Sequence, residues 1–264
     1  MIINFDKYQG TGNDFIIING IKQPHALQLH TDQIAKLCDR RFGIGADGLM
    51  ILTDDEETDF TMTYYNANGH ESTMCGNGGR CISAFARQEG VCDIQARFQA
   101  IDGVHEVRIT DDNMVELEMK DVTAIDRDGD AYILDTGSPH YVIIVEDYAA
   151  MDIVDYGKSI RYAERYLPDG INVNIASLIG DRLYVKTYER GVEDETYSCG
   201  TGVTASALAA SLHYAHLSRA SELSIVSKGG DLRVKFNPAT LGSFSQIWLC
   251  GPASKVFTGK ISLV

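Results

Sequence analysis

Glu71-Ser72-Thr73-Met74-Cys75-Gly76-Asn77-Gly78 returns in pattern as Glu195-Thr196-Tyr197-Ser198-Cys199-Gly200-Thr201-Gly202. The shared form is Glu-[Ser/Thr]-x-x-Cys-Gly-[Asn/Thr]-Gly, and the second copy stands 124 positions after the first, close to half of the 264 residues. Each copy leads into a segment that reads as helix, Gly79–Glu89 ended by Gly90 and Val203–Leu217. Agreement in residues, in spacing and in the following element points to a duplicated α+β unit, with a cysteine at the start of each central helix. The second helix carries Ala, Leu and Ser on every face, as a helix buried inside a sheet or barrel does.

Outward from these helices, strands dominate. Alternation of apolar and polar residues marks Phe60–Tyr64 and Arg182–Tyr188, and further strands are expected at Phe15–Asn19, Val115–Met119, Tyr132–Thr136, Tyr141–Val145, Leu232–Phe236 and Gln246–Cys250. Thr31 is expected to cap a helix running through Phe42, with Ile34, Leu37 and Cys38 on one face and Gly43 as its stop. The length fits two domains of roughly 120–130 residues.

Composition narrows the function classes. With 44% hydrophobic and 23% charged residues and only 5 prolines, the chain reads as a folded globular enzyme and not as a disordered segment. The formal charge of −14, from 23 Lys and Arg against 37 Asp and Glu, repels phosphate backbones and anionic lipid, so neither nucleic acid nor membrane is an expected partner. No stretch approaches the ~18 apolar residues of a spanning helix, and Met1–Asp6 has no signal-like character, so a cytoplasmic location is expected. The six cysteines (38, 75, 81, 92, 199, 250) show no CxxC pairing, which favours reduced thiols. Neither a metal nor a cofactor is expected, because the seven histidines show no ligand spacing beside cysteine or carboxylate clusters.

A helix N-terminus leaves about four N–H groups without internal partners and carries roughly half a positive charge, so it favours a thiolate and attracts a carboxylate. A cysteine there can titrate well below its free value of ~8.5. Two such cysteines suit inversion of a stereocentre: one takes a proton from one face of a carbon, the other supplies a proton to the opposite face. Backbone N–H donors stabilise the charge that develops on an adjacent carboxylate, so no electron-sink cofactor is required. Cys38 reads as core, and Cys81, Cys92 and Cys250 stand in no arrangement that calls for chemistry. Gly10-Thr11-Gly12 is not a dinucleotide fingerprint, because strand and not helix follows it.

Over essentially its whole length the chain resembles diaminopimelate epimerases. The resemblance rests on Gly10–Phe15, Arg41–Gly48, Asn66–Cys81, Gly137-Ser138-Pro139-His140, Asn172-Val173-Asn174 and Glu189-Arg190-Gly191 leading to Cys199-Gly200-Thr201-Gly202. It implies an α+β fold of two pseudo-symmetric halves, each a mixed sheet curled into a barrel around a central helix, with the active site in the cleft between them. The halves would be 1–121 plus a returning strand 255–264, carrying Cys75, and 122–254, carrying Cys199. It implies cofactor-independent epimerisation of LL- to meso-diaminopimelate in lysine biosynthesis, by a protein acting alone or as a homodimer.

Carried over position by position, Cys75 and Cys199 match the catalytic bases, and the N–H groups of Gly76, Asn77, Gly200 and Thr201 match those that hold the reacting carboxylate. Asn13, Asn66, Asn172 and Arg190 match substrate-binding positions, the last three chiefly at the distal end. Glu189 and His140 match residues that sit beside the thiols and help set their protonation. Four places depart from the pattern. Gly48 and Ser138 stand where some relatives carry a longer amide, Asn68 replaces a frequent aspartate, and the segment from Arg190 to Cys199 is one residue longer. The competing readings are a proline-type two-cysteine racemase, whose substrate would leave Asn66, Asn172 and Arg190 without purpose, and, from another class, a thiol redox sensor.

Overall fold

The strands and helices sort into two contact units, Met1–Leu117 with Gly251–Val264, and Glu118–Cys250. The computed structural model describes residues 1–110, 114–240 and 242–263; Val264, the end of the expected returning strand, lies outside them. The first unit runs β1 (Ile2–Gly10), β2 (Asn13–Asn19), α1 (Thr31–Cys38), β3 (Gly48–Thr53), β4 (Phe60–Asn66), α2 (Gly76–Gln88), β5 (Gln95–Ala100), β6 (Gly103–Ile109) and β7 (Met114–Met119). The second runs β8 (Asp126–Asp128), β9 (Ala131–Asp135), β10 (Pro139–Ile144), α3 (Ile153–Arg161), β11 (Asn172–Ile179), β12 (Arg182–Glu189), the short β13 (Asp194–Glu195), α4 (Gly200–His213), β14 (Glu222–Ser227), β15 (Gly230–Thr240) and β16 (Ser243–Pro252). Last comes β17 (Ser254–Ser262), which returns to the first unit antiparallel to β1, with Ile2 opposite Ser262.

Strand pairing repeats from one unit to the other. The first has the ladder β17-β1-β2-β3-β4-β5-β6-β7, whose successive pairs are antiparallel, antiparallel, parallel, antiparallel, parallel, antiparallel, antiparallel. The second has β8-β9-β10-β11-β12-β14-β15-β16 with the same seven-step pattern. In each, the two parallel steps are crossovers carried by a helix, α1 and α2 in the first, α3 and α4 in the second, as parallel neighbours require. The repeated glutamate also plays one part twice: Glu71 bridges to Tyr65 and Glu195 to Tyr188, pinning the approach to each cysteine onto the preceding strand. The α+β class and the duplication read from the sequence are therefore the architecture observed.

Each sheet is covered on both faces. In the first unit Ile34 and Leu37 of α1 pack with Ile3, Phe5, Ile16, Ile18, Leu49 and Ile51. On the other strand parity Phe15, Ile17, Met50, Phe60 and Met62 are buried, as are Ile82 and Phe85 of α2. In the second unit Ile153 of α3 packs with Tyr141, Val173, Ile175 and Tyr188, and α4 is buried continuously from Gly202 to Ser211. Burial of this kind, at roughly 25 cal/mol per Å² of apolar surface, is what offsets the entropy of ordering the chain.

Helix ends differ from the sequence reading. The cap of α1 is His30, not Thr31, with Gln33 reaching back to the His30 N–H in a capping box. That helix stops at Cys38 because the Asp39 carboxylate accepts from the N–H groups of Arg41 and Phe42, and Phe42 is left exposed. The two central helices begin earlier than expected, at Gly76 and Gly200 directly after each cysteine; α4 ends at His213, before a separate turn of 3₁₀-helix at Ala215–Leu217. Among the described residues no helix is long and apolar enough to cross a membrane.

Candidate active site

In the first unit Cys75 is the N-cap of α2. Its backbone is extended, and its sulfur accepts from the Gly78 N–H at 3.2 Å, so the thiol itself serves as the cap. The Cys75 thiol donates to Asn13 Oδ1 at 3.8 Å, and the Asn77 amide donates to the same oxygen at 3.5 Å. Asn13 lies at the start of β2, beside the Thr11-Gly12 turn whose positive φ angles let the chain double back from β1. Beneath the helix start lies Arg80, fully buried, donating to Gly76 O, Asn77 Oδ1 and Thr11 Oγ1 at 3.0–3.2 Å. A buried guanidinium stays charged, so it adds to the positive end of the helix.

A second ionic group supports Asn13. Its Nδ2 donates to Asp47 Oδ2 at 2.5 Å, and Arg40 bridges Asp47 Oδ1 and Asp14 Oδ1, each at 2.6 Å. Buried Lys7 donates to Asp14 Oδ2 at 2.6 Å and to the Gly45 carbonyl. Burial alone would raise the Asp14 carboxyl, but the hydrogen bonds from Arg40 and Lys7 win and bring it down to about 2.

In the second unit Cys199 is the N-cap of α4, nearly buried, but no side-chain capping bond forms there. Its sulfur instead lies 3.3 Å from Thr201 Oγ1, and Thr201 Oγ1 lies 2.9 Å from His140 Nε2. The hydrogen positions follow from the next links. Asn174 Nδ2 donates to the Tyr141 carbonyl at 3.1 Å, while Asn174 Oδ1 accepts from Thr187 Oγ1 at 2.9 Å, which fixes the amide's orientation. The same Nδ2 is 3.0 Å from His140 Nδ1, so Nδ1 is the acceptor and Nε2 carries the proton, donating to Thr201. Thr201 is then left to donate to the Cys199 sulfur, which favours the thiolate. Burial holds His140 down to about 3, so the whole relay is uncharged.

The second glycine of each Cys-Gly-x-Gly is there for space. Neither Gly78 nor Gly202 has a positive φ, so no unusual backbone angle calls for glycine there. A Cβ at Gly78 would stand 3.0 Å from Met50 Cε and 3.1 Å from the Cys75 sulfur; one at Gly202 would stand 2.4 Å from Asn174 Oδ1.

The structure brings Asn13, Gly76 and Asn77 to Cys75, and Thr201, Gly200 and His140 to Cys199. Asn66 ends β4 directly opposite Gly48 of β3. Asn172 uses its amide internally: Oδ1 accepts from the Arg190 N–H at 2.8 Å and Nδ2 donates to Ser138 Oγ at 2.8 Å. Arg190 donates to the Asp169 carbonyl at 3.3 Å, and burial raises the Glu189 carboxyl above its usual value. Between Arg190 and Cys199 the chain makes a turn that Glu193 staples, accepting from the Gly191 N–H, Tyr162 Oη and Tyr188 Oη at 2.9–3.0 Å. At Gly48 a longer side chain has no room, since its Cβ would meet the Tyr64 ring at 2.5 Å. Cys38, Cys81 and Cys92 are pushed up to about 12, with burial the main cause in each.

Sequence reading missed Arg80, Asp47 and Asn174 as supports. All three stand inside segments already singled out; Arg80 follows the first cysteine motif by two positions, where a charged residue reads as surface.

The family described as diaminopimelate epimerase matches residues 5–125 and 132–256. A diaminopimelate epimerase of Flavobacterium psychrophilum is 45% identical over 256 residues, covering 97% of this chain and 98% of that protein. One from Chlorobaculum tepidum is 39% identical over 263 residues, covering 96% and 99%. Among solved structures, a Bacillus anthracis phenazine biosynthesis protein of the PhzF family superposes with a TM-score of 0.77 at 12% identity, covering 100% of both chains. A hydroxyproline epimerase from Agrobacterium vitis does so with 0.69 at 15% identity, covering 99% and 93%. At these identities the solved structures speak for the fold alone.

Proposed function

The chain belongs to the diaminopimelate epimerase family, and from that premise we propose that it interconverts the LL and meso forms of diaminopimelate on the route to lysine, with Cys75 and Cys199 as its acid/base pair. A thiolate removes the α-proton, and the electron pair of the broken C–H bond spreads into the adjacent carboxylate. A thiol then returns a proton on the opposite face, forming the new C–H bond. In the reverse direction the sulfurs exchange roles. The observation that carries this reading is that both repeated cysteines are N-caps of helices, where N–H groups and the helix dipole favour a thiolate and a carboxylate together.

The N–H groups of Gly76, Asn77, Gly200 and Thr201 hold the reacting carboxylate in this scheme and stabilise its developing charge. Arg190 grips the distal carboxylate, with Asn66 beside the distal group and Asn172 seating the Arg190 backbone through its bond to that N–H. Asn13 serves Cys75, and Thr201, His140 and Glu189 serve Cys199. Residues 1–121 with 255–264 and residues 122–254 act as the two functional halves, in a cytoplasmic protein that works as a monomer or homodimer.

The test is incubation with LL-diaminopimelate and, separately, L-proline in deuterated water. Inversion with uptake of one α-deuterium is expected for diaminopimelate, with no change in proline. Inversion of proline and not of diaminopimelate would overturn the reading, as would a reduced protein with no turnover of either.

A further inference from the structure

The thiol of Cys75 faces a carbonyl oxygen, and the reason it does so lies one residue further out. Asn13 can present either end of its amide to the sulfur. Its Nδ2 is held by Asp47 Oδ2 at 2.5 Å, and a carboxylate oxygen only accepts, so Oδ1 is the end turned toward Cys75, 3.8 Å away. Asp47 is held in turn: Arg40 donates to its Oδ1 at 2.6 Å and the Asp14 N–H donates to its Oδ2 at 3.2 Å. We propose that Asp47 is a positioning residue for the acid/base chemistry of Cys75, fixing the Asn13 amide so that its carbonyl oxygen accepts from the thiol and opposes the thiolate.

An amide oxygen is a partner for S–H and a poor neighbour for S⁻; an amide N–H₂ has the opposite preference. Among the described residues, the buried thiol of Cys81 also faces Cys75 and is pushed up to about 12, mainly by burial, and other charged groups on this side of the first unit are paired. Arg80 of α2 favours the thiolate, as does the Gly78 N–H at 3.2 Å. Asp102, in the turn between β5 and β6, accepts from the Met74 N–H at 3.3 Å and has His105 of β6 at 3.5 Å. Lys7 of β1 and Arg40, just after α1, balance Asp14 of β2 and Asp47. Lys255 of β17 is paired with Asp6 of β1, and Glu89, just past the other end of α2, with Lys22. β3 turns Gly48 and Met50 toward this side. The helix start thus pulls the Cys75 thiol toward ionisation, and the locked Asn13 oxygen pulls it back, which suits a thiol that must be able to act as the acid.

Replacing Asp47 by asparagine tests the lock without changing its shape. Arg40 claims the oxygen of the new amide, so its N–H₂ falls where Oδ2 was. That group repels the Asn13 Nδ2 and forces Asn13 to turn over, delivering N–H₂ to the sulfur. The inference rests on Cys75 being one of the two acid/base groups, so its readout is chosen to need no diaminopimelate. The rate of iodoacetamide alkylation at Cys75 is followed against pH by peptide mass spectrometry, in a Cys199→Ser background. Asp47→Asn is expected to lower the apparent pKa of Cys75 by about one unit, roughly a tenfold rise in thiolate fraction below the pKa. Asp47→Glu is expected to restore much of the wild-type profile, and Asp47→Asn added to Asn13→Ala should shift nothing further.

With Cys199 intact, the alkaline limb of turnover should move to lower pH by the same amount, because Cys75 then loses its proton sooner. An unchanged alkylation profile in folded Asp47→Asn overturns the proposal, and so does a shift of equal size when Asn13 is already alanine. Asn13→Ala alone, which removes the opposing oxygen, must also lower the Cys75 value, and a failure to do so overturns it independently. Absence of diaminopimelate turnover in the wild-type protein would strike the functional reading and leave this result standing.

Discussion

The two helix starts share the pattern Cys-Gly-x-Gly and are supported by opposite kinds of chemistry. At α2 the sulfur caps the helix, and what surrounds it is ionic: buried Arg80 below, with Asn13 tied into the Lys7, Asp14, Arg40 and Asp47 group. At α4 the sulfur caps nothing, and its relay of Thr201, His140, Asn174 and Thr187 carries no charge. The ladders have kept the same seven-step pairing while the partners of the two sulfurs have diverged. A duplicated unit conserves the backbone that delivers a group to a place; what adjusts that group is free to differ, because it lies in side chains that pack locally.

The comparison breaks most sharply on turnover. Cys75→Ala and Cys199→Ala are each expected to cut epimerisation by roughly 10²–10⁴-fold, measured as inversion of LL-diaminopimelate, with circular dichroism unchanged. Near-normal turnover in either variant would remove that helix start from the reaction and end the equivalence. The next effect separates the two glycines. Gly202→Ala pushes a methyl to 2.4 Å from Asn174 Oδ1 in a buried relay and is expected to destabilise by roughly 3 kcal/mol in urea unfolding. Gly78→Ala meets the flexible end of Met50 at 3.0 Å and the Cys75 sulfur at 3.1 Å, contacts that need only a few tenths of an ångström to relax, and recovers up to about 1 kcal/mol of helix propensity, so its loss should be much the smaller, about 1 kcal/mol or less. Equal losses at the two positions would mean that the relay at α4 is no more rigid than the packing at α2.

The smallest effect reads the caps. Serine is expected to be more stable than alanine at position 75 by about 1 kcal/mol, because its hydroxyl can take over the bond to Gly78 N–H. At position 199, where no such bond exists, the same exchange should gain less. Thermal melts of the four variants measure the difference, and a larger gain at 199 would reverse the assignment of which sulfur is the cap.

Much of this was legible in the residues. The repeat at Glu71 and Glu195 announced the duplication, and all eight expected strands fall on observed strands, six with ends moved by a residue or two and two, β15 and β16, reaching up to four residues further. The strands left unread include β3 and β11, which are buried at nearly every position. With helices covering both faces of the sheet, the period of two that marks a strand is lost. Both sulfurs and their glycines were legible because helix-start chemistry is local in sequence. The supports were not. Asp47 reaches Asn13 across 34 positions, and Asn174 reaches His140 across the same number. A buried arginine such as Arg80 violates the rule that charge stays outside, and its hydrogen bonds to Gly76, Asn77 and Thr11 help explain why it is tolerated.

The return of β17 has a consequence for how the molecule is made. A ribosome releases residues 118–250, which hold nearly every strand of the second ladder, before it releases the strand that lies against β1. The later-numbered unit can therefore finish while the earlier-numbered one still waits with a bare edge, closed only when Leu263 arrives to accept from the Met1 ammonium at 2.9 Å. Birth order and completion order are reversed, and a nascent chain stalled before Ser254 would hold Cys75 in a sheet whose first strand has nothing on its outer side.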